Sequence, residues 1–209
     1  MPELNLGFVH EYVPSTSGSP YTLLVLHGTG GDEHDLLPLG AQLGGGAAML
    51  SPRGKSLENG MNRFFRRSAM GVFDLEDLKA RTHELAGFVS SAAERYGFDP
   101  KKVIALGYSN GANIAASLLL LRPGVLAGAV LLRPMTPLIP EPLPSLDGVP
   151  VWLGGGRKDT MIPPAKTQEL AELLALAGAN VQTHWSQLGH ELGQAELREA
   201  HCWLGNLLA

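Results

Sequence analysis

The chain contains a single cysteine, Cys202, in 209 residues, and this excludes an internal disulfide framework. Neither sign of charge dominates, since 16 Lys and Arg residues against 20 Asp and Glu residues leave a net charge of −4. That balance argues against nucleic acid and anionic membranes as partners. No run of about 18 apolar residues could span a bilayer, and no basic-then-apolar segment has the pattern of a signal peptide. A cytoplasmic globular protein is therefore expected, with Cys202 buried as a small hydrophobic residue.

Strand-like and helix-like segments alternate along the chain, separated by turns that use many of its 26 glycines and 15 prolines. Apolar runs and alternating patterns predict strands at 7–13, 21–26, 47–50, 103–107, 126–132, 149–153 and 180–185. Helical periodicity predicts helices at 35–43, 74–96, 163–177 and 191–208, and another directly after Ser109. This alternation predicts one α/β domain over residues 1–209, with a mainly parallel sheet and helices on both faces. Residues 51–73 are expected to form a long loop, and the short stretch between Leu132 and Val149 leaves no room for a lid domain.

The segment Gly107-Tyr108-Ser109-Asn110-Gly111 joins a predicted buried strand to a predicted helix, and it has the G-x-S-x-G spacing of a nucleophile elbow. A serine on so sharp a turn has a strained backbone, so its neighbours two residues away must lack bulk. Gly107 and Gly111 meet that requirement. The free N–H groups at the start of the helix point toward an anion that forms beside the serine. Ser109 is therefore the candidate nucleophile.

A serine hydroxyl needs a base to take its proton, and the base needs a group that orients it. Asp159 and His190 follow predicted strands, as Ser109 does, and reactive groups collect at the carboxyl ends of parallel strands. The chain order Ser, Asp, His is the one found in α/β-hydrolases. Asp159 is the candidate acid and His190 the candidate base, with Glu141 and Asp147 as alternative acids on the preceding connection.

An acyl-transfer site also needs N–H donors where negative charge develops, and the loss of one donor costs about 3–4 kcal/mol. The backbone N–H of Asn110, directly after the nucleophile, is one expected donor. The second donor is expected from the loop 27–31, which follows the predicted strand at 21–26. His27 in that loop is interpreted as a structural residue that bonds to the backbone.

Other ligand classes are disfavoured by the sequence that follows this loop. Residues 32–35, Asp-Glu-His-Asp, could suggest a metal site, but acidic residues at the start of a helix are favoured by the helix dipole. The glycines of residues 28–31 do not match G-x-G-x-x-G, because position 33 is Glu, and no G-K-[ST] follows them. Neither a metal nor a nucleotide cofactor is therefore expected.

A basic and aromatic segment within residues 51–73 leaves two interpretations open. It contains Arg63, Phe64 and Phe65 together with further basic residues at positions 53, 55, 66 and 67. In the first interpretation it is a solvated basic surface whose two phenylalanines fill the core. In the second, Arg63 binds an anionic or polar group of an ester while Phe64 or Phe65 lines the pocket. An extended backbone would place Arg63 and Phe65 on one side, facing the pocket together.

Four motifs resemble the phospholipase/carboxylesterase family of α/β-hydrolases, which includes the acyl-protein thioesterases: LHGTGGDE (26–33), LGYSNGAN (106–113), GGRKDTMIP (155–163) and LGH (188–190). Two further segments, PRGKSLENGMNRFFRR (52–67) and GVFDLEDL (71–78), are similar to small bacterial carboxylesterases related to methylhydroquinone-inducible hydrolases. The resemblance implies that Ser109, Asp159 and His190 form the triad. It also implies that Thr29 and Asn110 supply the oxyanion N–H groups.

The elbow departs from acyl-protein thioesterases, which usually have S-Q-G where this chain has Ser109-Asn110-Gly111. The favoured function is therefore hydrolysis of small carboxylic esters, preferably with short acyl chains, through an acyl-enzyme. A thioesterase or lysophospholipase is the alternative within the family, and a non-catalytic binding protein is the alternative outside it. Dienelactone-hydrolase chemistry would need a cysteine nucleophile where Ser109 stands. The expected partner is a small-molecule ester, and a homodimer stays open as an assembly.

Overall fold

A computed structural model describes residues 6–69 and 71–208, and a seven-stranded sheet lies at its centre. The strands in chain order are β1 (His10–Val13), β2 (Thr22–Leu26), β3 (Ala48–Pro52), β4 (Ser56–Glu58), β5 (Met61–Arg63), β6 (Arg67–Ala69), β7 (Val72–Phe73), β8 (Val103–Tyr108), β9 (Gly128–Leu132), β10 (Pro150–Gly156) and β11 (Asn180–Ser186). The large sheet has the order β1-β3-β2-β8-β9-β10-β11. Its β1 edge pairs antiparallel with β3, and the other neighbours pair in parallel. The predicted mainly parallel sheet is confirmed.

Helices cover both faces of this sheet, as the sequence predicts. They are α1 (Leu37–Leu43), α2 (Leu75–Tyr96), α3 (Asn110–Leu121), α4 (Pro164–Leu176) and α5 (Gln194–Leu208). Apolar residues of β2 alternate between two cores: Leu24 and Leu26 pack with α2, α3 and α4, whereas Leu23 and Val25 pack with α1 and α5. Because successive side chains of a strand point to opposite faces, a strand buried on both faces must be apolar throughout.

The local signals at the ends of α2 act as expected. Asp74 precedes the helix, and its carboxylate accepts a hydrogen bond from the Asp77 N–H, which is the standard side-chain cap of a helix start. At the other end Gly97 has a φ of 75°, a left-handed conformation that glycine adopts without steric cost. The predicted bounds of this helix are confirmed.

The segment that was expected to be a long loop forms two short hairpins instead. β4 pairs antiparallel with β5, and β6 pairs antiparallel with β7. The turn of the first hairpin is Asn59-Gly60, with φ values of 50° and 80°. Asn-Gly between short extended segments is a strong hairpin signal, because both residues tolerate positive φ. The Asn-Gly pair is therefore a sequence signal for the first hairpin.

Cys202 is a second correction, because it is exposed on α5 rather than buried. The buried stripe of that helix consists of Leu197, Ala200 and Leu204. Cys202 is two positions beyond Ala200, and two residues correspond to more than half a turn of an α-helix. The cysteine therefore lies on the opposite side of α5.

The connection between β9 and β10, residues 133–149, contains no helix or strand. The expected absence of a lid domain at this position therefore agrees with the architecture. Within residues 6–69 and 71–208, none of the helices combines the length and apolar character that crossing a membrane requires.

Candidate active site

Ser109 lies on the sharp turn between β8 and α3, at the centre of the sheet. Its φ of 54° and ψ of −112° are unusual for a residue with a side chain, and its N–H donates to the Leu132 carbonyl at 2.8 Å. A Cβ added at Gly107 would lie 2.6 Å from the Gly111 carbonyl oxygen, and one added at Gly111 would collide with the Leu26 carbonyl. The two glycines therefore permit the close packing that the turn requires.

Three polar side chains from separate strand ends meet at this turn. The Ser109 Oγ is 3.0 Å from His190 Nε2, and His190 Nδ1 is 2.7 Å from Asp159 Oδ2. An ionised carboxylate only accepts hydrogen bonds, so Nδ1 carries the proton and Nε2 is left to accept from the serine hydroxyl. The arrangement can remove a proton from Ser109.

Asp159 is held in place by its own loop. Its Oδ1 accepts the backbone N–H groups of Met161 at 2.8 Å and Ile162 at 2.9 Å, and the residue is buried. The alternative acids Glu141 and Asp147 are both exposed, and neither contacts His190. Of the three acids considered, the structure brings only Asp159 to the histidine.

The loop after β2 lies beside Ser109 and is fastened by the first hairpin. The Gly30 N–H donates to the Asn62 carbonyl at 2.8 Å, and the Asn62 side-chain amide donates to the Gly31 carbonyl at 2.9 Å. Thr29 directly precedes these two glycines and lines the cavity at Ser109. Asn110 is the first residue of α3, so its N–H has no acceptor within the helix. Both predicted oxyanion residues therefore border the same space.

His27 holds the loop after β2 through backbone hydrogen bonds, as the sequence predicts. Its Nε2 accepts the Gly54 N–H at 2.9 Å, so its Nδ1 carries the proton and donates to the Gly28 carbonyl at 2.6 Å. Burial lowers the pKa of His27, because a charged imidazolium is poorly solvated in the interior. The neutral ring therefore ties the loop after β2 to the segment that follows β3.

A cavity of about 50 Å³ opens at Ser109. Its polar border includes Thr29, Asn110, Asn113 and His190, and its apolar border is formed by Phe73, Met135, Met161 and Ile162. The space directly beside the serine is therefore small.

Arg63 is brought to this cavity, as the second interpretation of the basic segment predicts. The residue is 3% exposed, and its guanidinium donates to Thr29 Oγ1 at 2.7 Å and to the Phe65 carbonyl at 3.2 Å. Its ion-pair partner Glu58, at 3.2 Å, also accepts from Arg67 at 2.6 Å. Burial and the nearby charge of Arg67 lower the pKa of Arg63, whereas the hydrogen bond from Arg67 lowers the pKa of Glu58.

Comparison with known proteins identifies the family. The model of the dienelactone hydrolase family matches residues 63–192. The chain belongs to that family.

Three known proteins are similar to this chain over nearly its whole length. MhqD of Bacillus subtilis (strain 168), which is named as a hydrolase, is 47% identical over 194 residues, covering 93% of this chain and 96% of MhqD. The crystal structure of the Bacillus cereus carboxylesterase is 47% identical with a TM-score of 0.92, covering 95% of this chain and 94% of the carboxylesterase. YahD, solved with malic acid, is 33% identical with a TM-score of 0.87, covering 95% and 99% of the two chains. The chain is a hydrolase, and the resemblance to small bacterial carboxylesterases is confirmed.

Phe64 and Phe65 of this dienelactone hydrolase family member do not line the cavity, which corrects the second interpretation. They are 2% and 0% exposed and belong to the hydrophobic core. Phe64 packs on the His27 ring, and Phe65 makes an edge contact with Phe73, with ring centres 4.7 Å and 5.0 Å apart. β5 ends at Arg63, so the extended alternation on which the prediction depended does not continue through the phenylalanines.

The side chain of Asn110 has a role that its backbone position did not reveal. Its Oδ1 accepts the Phe64 N–H at 2.7 Å and so joins the elbow to the end of β5. The opposite end of the amide, Nδ2, is buried and has no acceptor among the described residues. A buried amide N–H₂ without a partner beside a cavity is an available donor for a bound molecule.

Several residues that border the cavity have recognisable positions in the sequence. Met161 and Ile162 follow the candidate acid by two and three positions, so the loop that presents Asp159 also supplies part of the apolar border. Phe73 precedes the Asp74 cap of α2 and reaches the cavity from the second hairpin. Among the described residues, no group of three or more His, Cys, Asp or Glu side chains could hold a metal ion.

Proposed function

We propose that this chain is a single-domain carboxylesterase that cleaves small carboxylic esters through an acyl-enzyme. Ser109 is the nucleophile, His190 the general base and Asp159 the residue that orients the base. The observation that carries the proposal is the continuous chain of hydrogen bonds, 3.0 Å from serine to histidine and 2.7 Å from histidine to aspartate. These are the distances that proton transfer requires.

In the acylation step Ser109 Oγ attacks the ester carbonyl carbon while its proton moves to His190 Nε2. The tetrahedral intermediate collapses when His190 returns that proton to the leaving alkoxide, which departs as an alcohol. In deacylation a water molecule gives a proton to His190 and attacks the acyl-enzyme, and the carboxylic acid leaves as Ser109 recovers its proton. Asp159 stays ionised throughout and stabilises the imidazolium that forms in each half of the reaction.

The negative charge of each tetrahedral intermediate would be stabilised by the backbone N–H groups of Thr29 and Asn110. Support for this assignment comes from their positions, because both residues border the cavity at Ser109 and Asn110 begins α3. Each such donor contributes about 2.7–4 kcal/mol to the transition state. The contacts of Asn62 with the loop after β2 would preorganise the Thr29 donor.

The substrate class follows from the cavity and its charge. A volume of about 50 Å³ favours short acyl groups. Arg63 lines the cavity, and its counter-ion Glu58 also binds Arg67. Together with the unpaired Asn110 Nδ2, this favours esters that carry a carboxylate or another polar acceptor near the scissile bond. Malic acid, which the YahD structure contains, also carries carboxylate groups, although it is not an ester.

Phe64 and Phe65 are not part of this proposed subsite, because both side chains are buried in the hydrophobic core. The small cavity at Ser109 gives less support to the alternative of a thioesterase or lysophospholipase that holds a long acyl chain. A non-catalytic binding protein would not need the strained turn at Ser109 or the oriented histidine.

The proposal is tested by covalent labelling with a fluorophosphonate probe and by hydrolysis of p-nitrophenyl acetate. Wild-type protein should add one probe per chain, and Ser109→Ala should lose both labelling and at least about 10³-fold in kcat. Ser91→Ala, at an exposed serine on α2, is the matched control and should behave as wild type. Wild-type protein that is neither labelled nor active would favour the non-catalytic alternative.

A further inference from the structure

Arg133 lies directly after β9 and is the largest charged side chain that the fold buries completely, at 0% exposure. Its backbone has a φ of 54°, which is uncommon for a residue with a side chain. Its N–H donates to the Gly154 carbonyl of the adjacent strand β10 at 2.8 Å. Strained backbone of this kind occurs where the surrounding structure requires one particular side-chain direction.

The guanidinium of Arg133 contacts the backbone on both sides of His190. Its Nε donates to the Gly189 carbonyl at 2.9 Å, and its Nη2 donates to the Glu191 carbonyl at 2.6 Å. The hydroxyl of Tyr108 donates to the carbonyl of His190 itself at 3.0 Å. Three consecutive carbonyl groups are therefore each held by a side chain that follows or ends a central strand.

The counter-ion of Arg133 is Glu196 in the first turn of α5, and it is buried as well, at 1% exposure. The two side chains meet through two nitrogen–oxygen contacts, of which the Nη2 to Oε2 contact is 2.9 Å. A Cβ at Gly154 would lie 2.5 Å from Glu196 Oε1, so the pair needs a glycine at that position. Gly156 is needed in the same way, because a Cβ there would collide with the Gly189 carbonyl.

A buried ion pair is expensive to desolvate, and well-packed apolar residues of the same volume would often be at least as stabilising. The geometry gives a different reason for its presence. Arginine offers five N–H donors in a rigid planar fork, which lets one side chain hold two carbonyls of a loop and a carboxylate together. A lysine would supply the same charge without that fixed geometry.

We propose that Arg133 is a positioning residue for His190, with Tyr108 as its partner at the middle carbonyl. The inference rests on the proposed function of His190 as general base. Arg133 does not line the cavity, so it acts through the histidine loop and not on the substrate. A displaced imidazole would slow proton transfer while leaving substrate binding unchanged, and misplacement by about 1 Å costs up to roughly 100-fold in rate.

Arg133→Lys tests the proposal. We expect kcat for p-nitrophenyl acetate to fall about 10- to 100-fold with KM within about 2-fold of wild type. Ser186→Ala is the matched control. The Ser186 hydroxyl accepts a hydrogen bond from the same guanidinium at 3.2 Å, but Ser186 lies outside residues 189–191, whose carbonyls hold the histidine loop. Val89→Ala, in the core on α2, is the control for lost stability. An Arg133→Lys enzyme whose kcat equals that of Val89→Ala would overturn the proposal.

A readout without catalysis is the proton NMR signal of the hydrogen bond between His190 Nδ1 and Asp159. It should shift or broaden in Arg133→Lys and persist unchanged in both controls. The proposed function is judged separately, on wild type and Ser109→Ala. An unaltered histidine signal in Arg133→Lys would therefore overturn the positioning role even in a chain without esterase activity.

Tyr108→Phe decides the matter if Arg133→Lys does not fold, because it removes one hydroxyl and leaves the buried ion pair intact. The loss of one hydrogen bond should lower kcat about 2- to 10-fold with unchanged KM, and it should shift the same NMR signal. Wild-type kcat together with an unshifted signal in Tyr108→Phe would count against a held histidine loop.

Discussion

Two arginines are buried beside the candidate active site, on opposite sides of Ser109, and their surroundings differ. Arg133 is 0% exposed, is not among the residues that line the cavity and faces a buried carboxylate, Glu196. Arg63 is 3% exposed, lines the cavity and has a counter-ion, Glu58, that also binds Arg67. Burial alone therefore does not tell what an arginine does.

The two arginines differ in how completely their hydrogen-bond donors and their charge are used by the protein. The Arg133 guanidinium donates to three backbone carbonyls, to the Ser186 hydroxyl and to the Glu196 carboxylate. The buried Glu196 carboxylate neutralises its charge locally. The charge of Arg63 is offset by a carboxylate that it shares, and its side chain borders a space open to a ligand. We infer that the first arginine serves geometry and the second serves recognition.

The largest loss of kcat is expected from a change in Asp159, the proposed acid of the triad, because the role of either arginine depends on a working triad. Asp159→Asn should lower kcat about 10³- to 10⁴-fold, because an amide at this position favours the wrong tautomer of His190. Steady-state hydrolysis of p-nitrophenyl acetate measures the loss. Asp147→Asn, at the exposed alternative acid, is the matched control and should keep wild-type rates. The reverse result would move the acid to Asp147 and remove the reason for holding His190 with Arg133.

The recognition side is tested by Arg63→Ala. Esters with a carboxylate near the scissile bond should lose roughly 10- to 150-fold in kcat/KM, the worth of a charge-assisted hydrogen bond, while neutral esters keep most of their rate. Matched pairs of neutral and anionic short-chain esters provide the measurement. Arg66→Ala, at the exposed arginine of the same segment, is the control. Equal losses on both substrates would show that Arg63 only supports the loop of Thr29, and the comparison between the two arginines would collapse.

The contrast between the two arginines also shows what sequence reasoning can reach. The elbow was predictable because its signals are local: an apolar strand, two glycines at fixed spacing and a following helix. Asp159 and His190 were predictable because chain order and strand ends place them at the same edge of the sheet. Arg63 was predictable as a candidate because it stands in a segment of unusual composition.

Arg133 carried no such signal. Its partners lie 21 to 63 positions away in the chain, and no periodic pattern links an arginine after an apolar strand to a glutamate in a later helix. The run Gly154-Gly155-Gly156 was the available clue, because consecutive glycines in a strand indicate close approach of other groups. The error with Phe64 and Phe65 has the same origin, since the end of β5 at Arg63 is set by tertiary contacts and not by local sequence.

A smaller effect concerns the apolar border next to Arg63. Wild-type enzyme should prefer esters with short acyl chains, from acetyl up to hexanoyl, over esters with long acyl chains. It should not be activated above the micelle concentration of the longer substrates. Met135→Ala should enlarge the cavity and raise kcat/KM for the longer esters about 10-fold, since one methylene in an apolar pocket changes specificity by roughly 10- to 200-fold. A series of p-nitrophenyl esters measures the shift. Leu176→Ala, at an exposed position on α4, is the control. A wild-type optimum at palmitoyl esters would contradict the assignment of this cavity to the acyl chain.

The smallest effect is expected in the free energy of unfolding and in its dependence on pH. Arginine side chains stay protonated in proteins, so a response to acid has to come from another kind of side chain. His27, which supports the loop of Thr29, should respond, because burial lowers its pKa below that of the unfolded chain. In acid the unfolded state therefore binds the proton first. The stability that neutral His27 contributes is complete above about pH 6.5 and declines as the pH falls toward the folded-state pKa.

Urea unfolding between pH 8 and pH 5 should accordingly show a decline in the free energy of unfolding below about pH 6.5, and part of that decline belongs to His27. His27→Gln can still accept the Gly54 N–H but cannot titrate, so its curve should decline less steeply than the wild-type curve, from a lower starting value. His83→Gln, at an exposed histidine on α2, is the matched control for the substitution itself. Parallel curves for wild type and His27→Gln would show that His27 is not the acid-sensitive support of this loop. The decline in the free energy of unfolding would then have to come from other titratable groups, such as the carboxylates near Arg63.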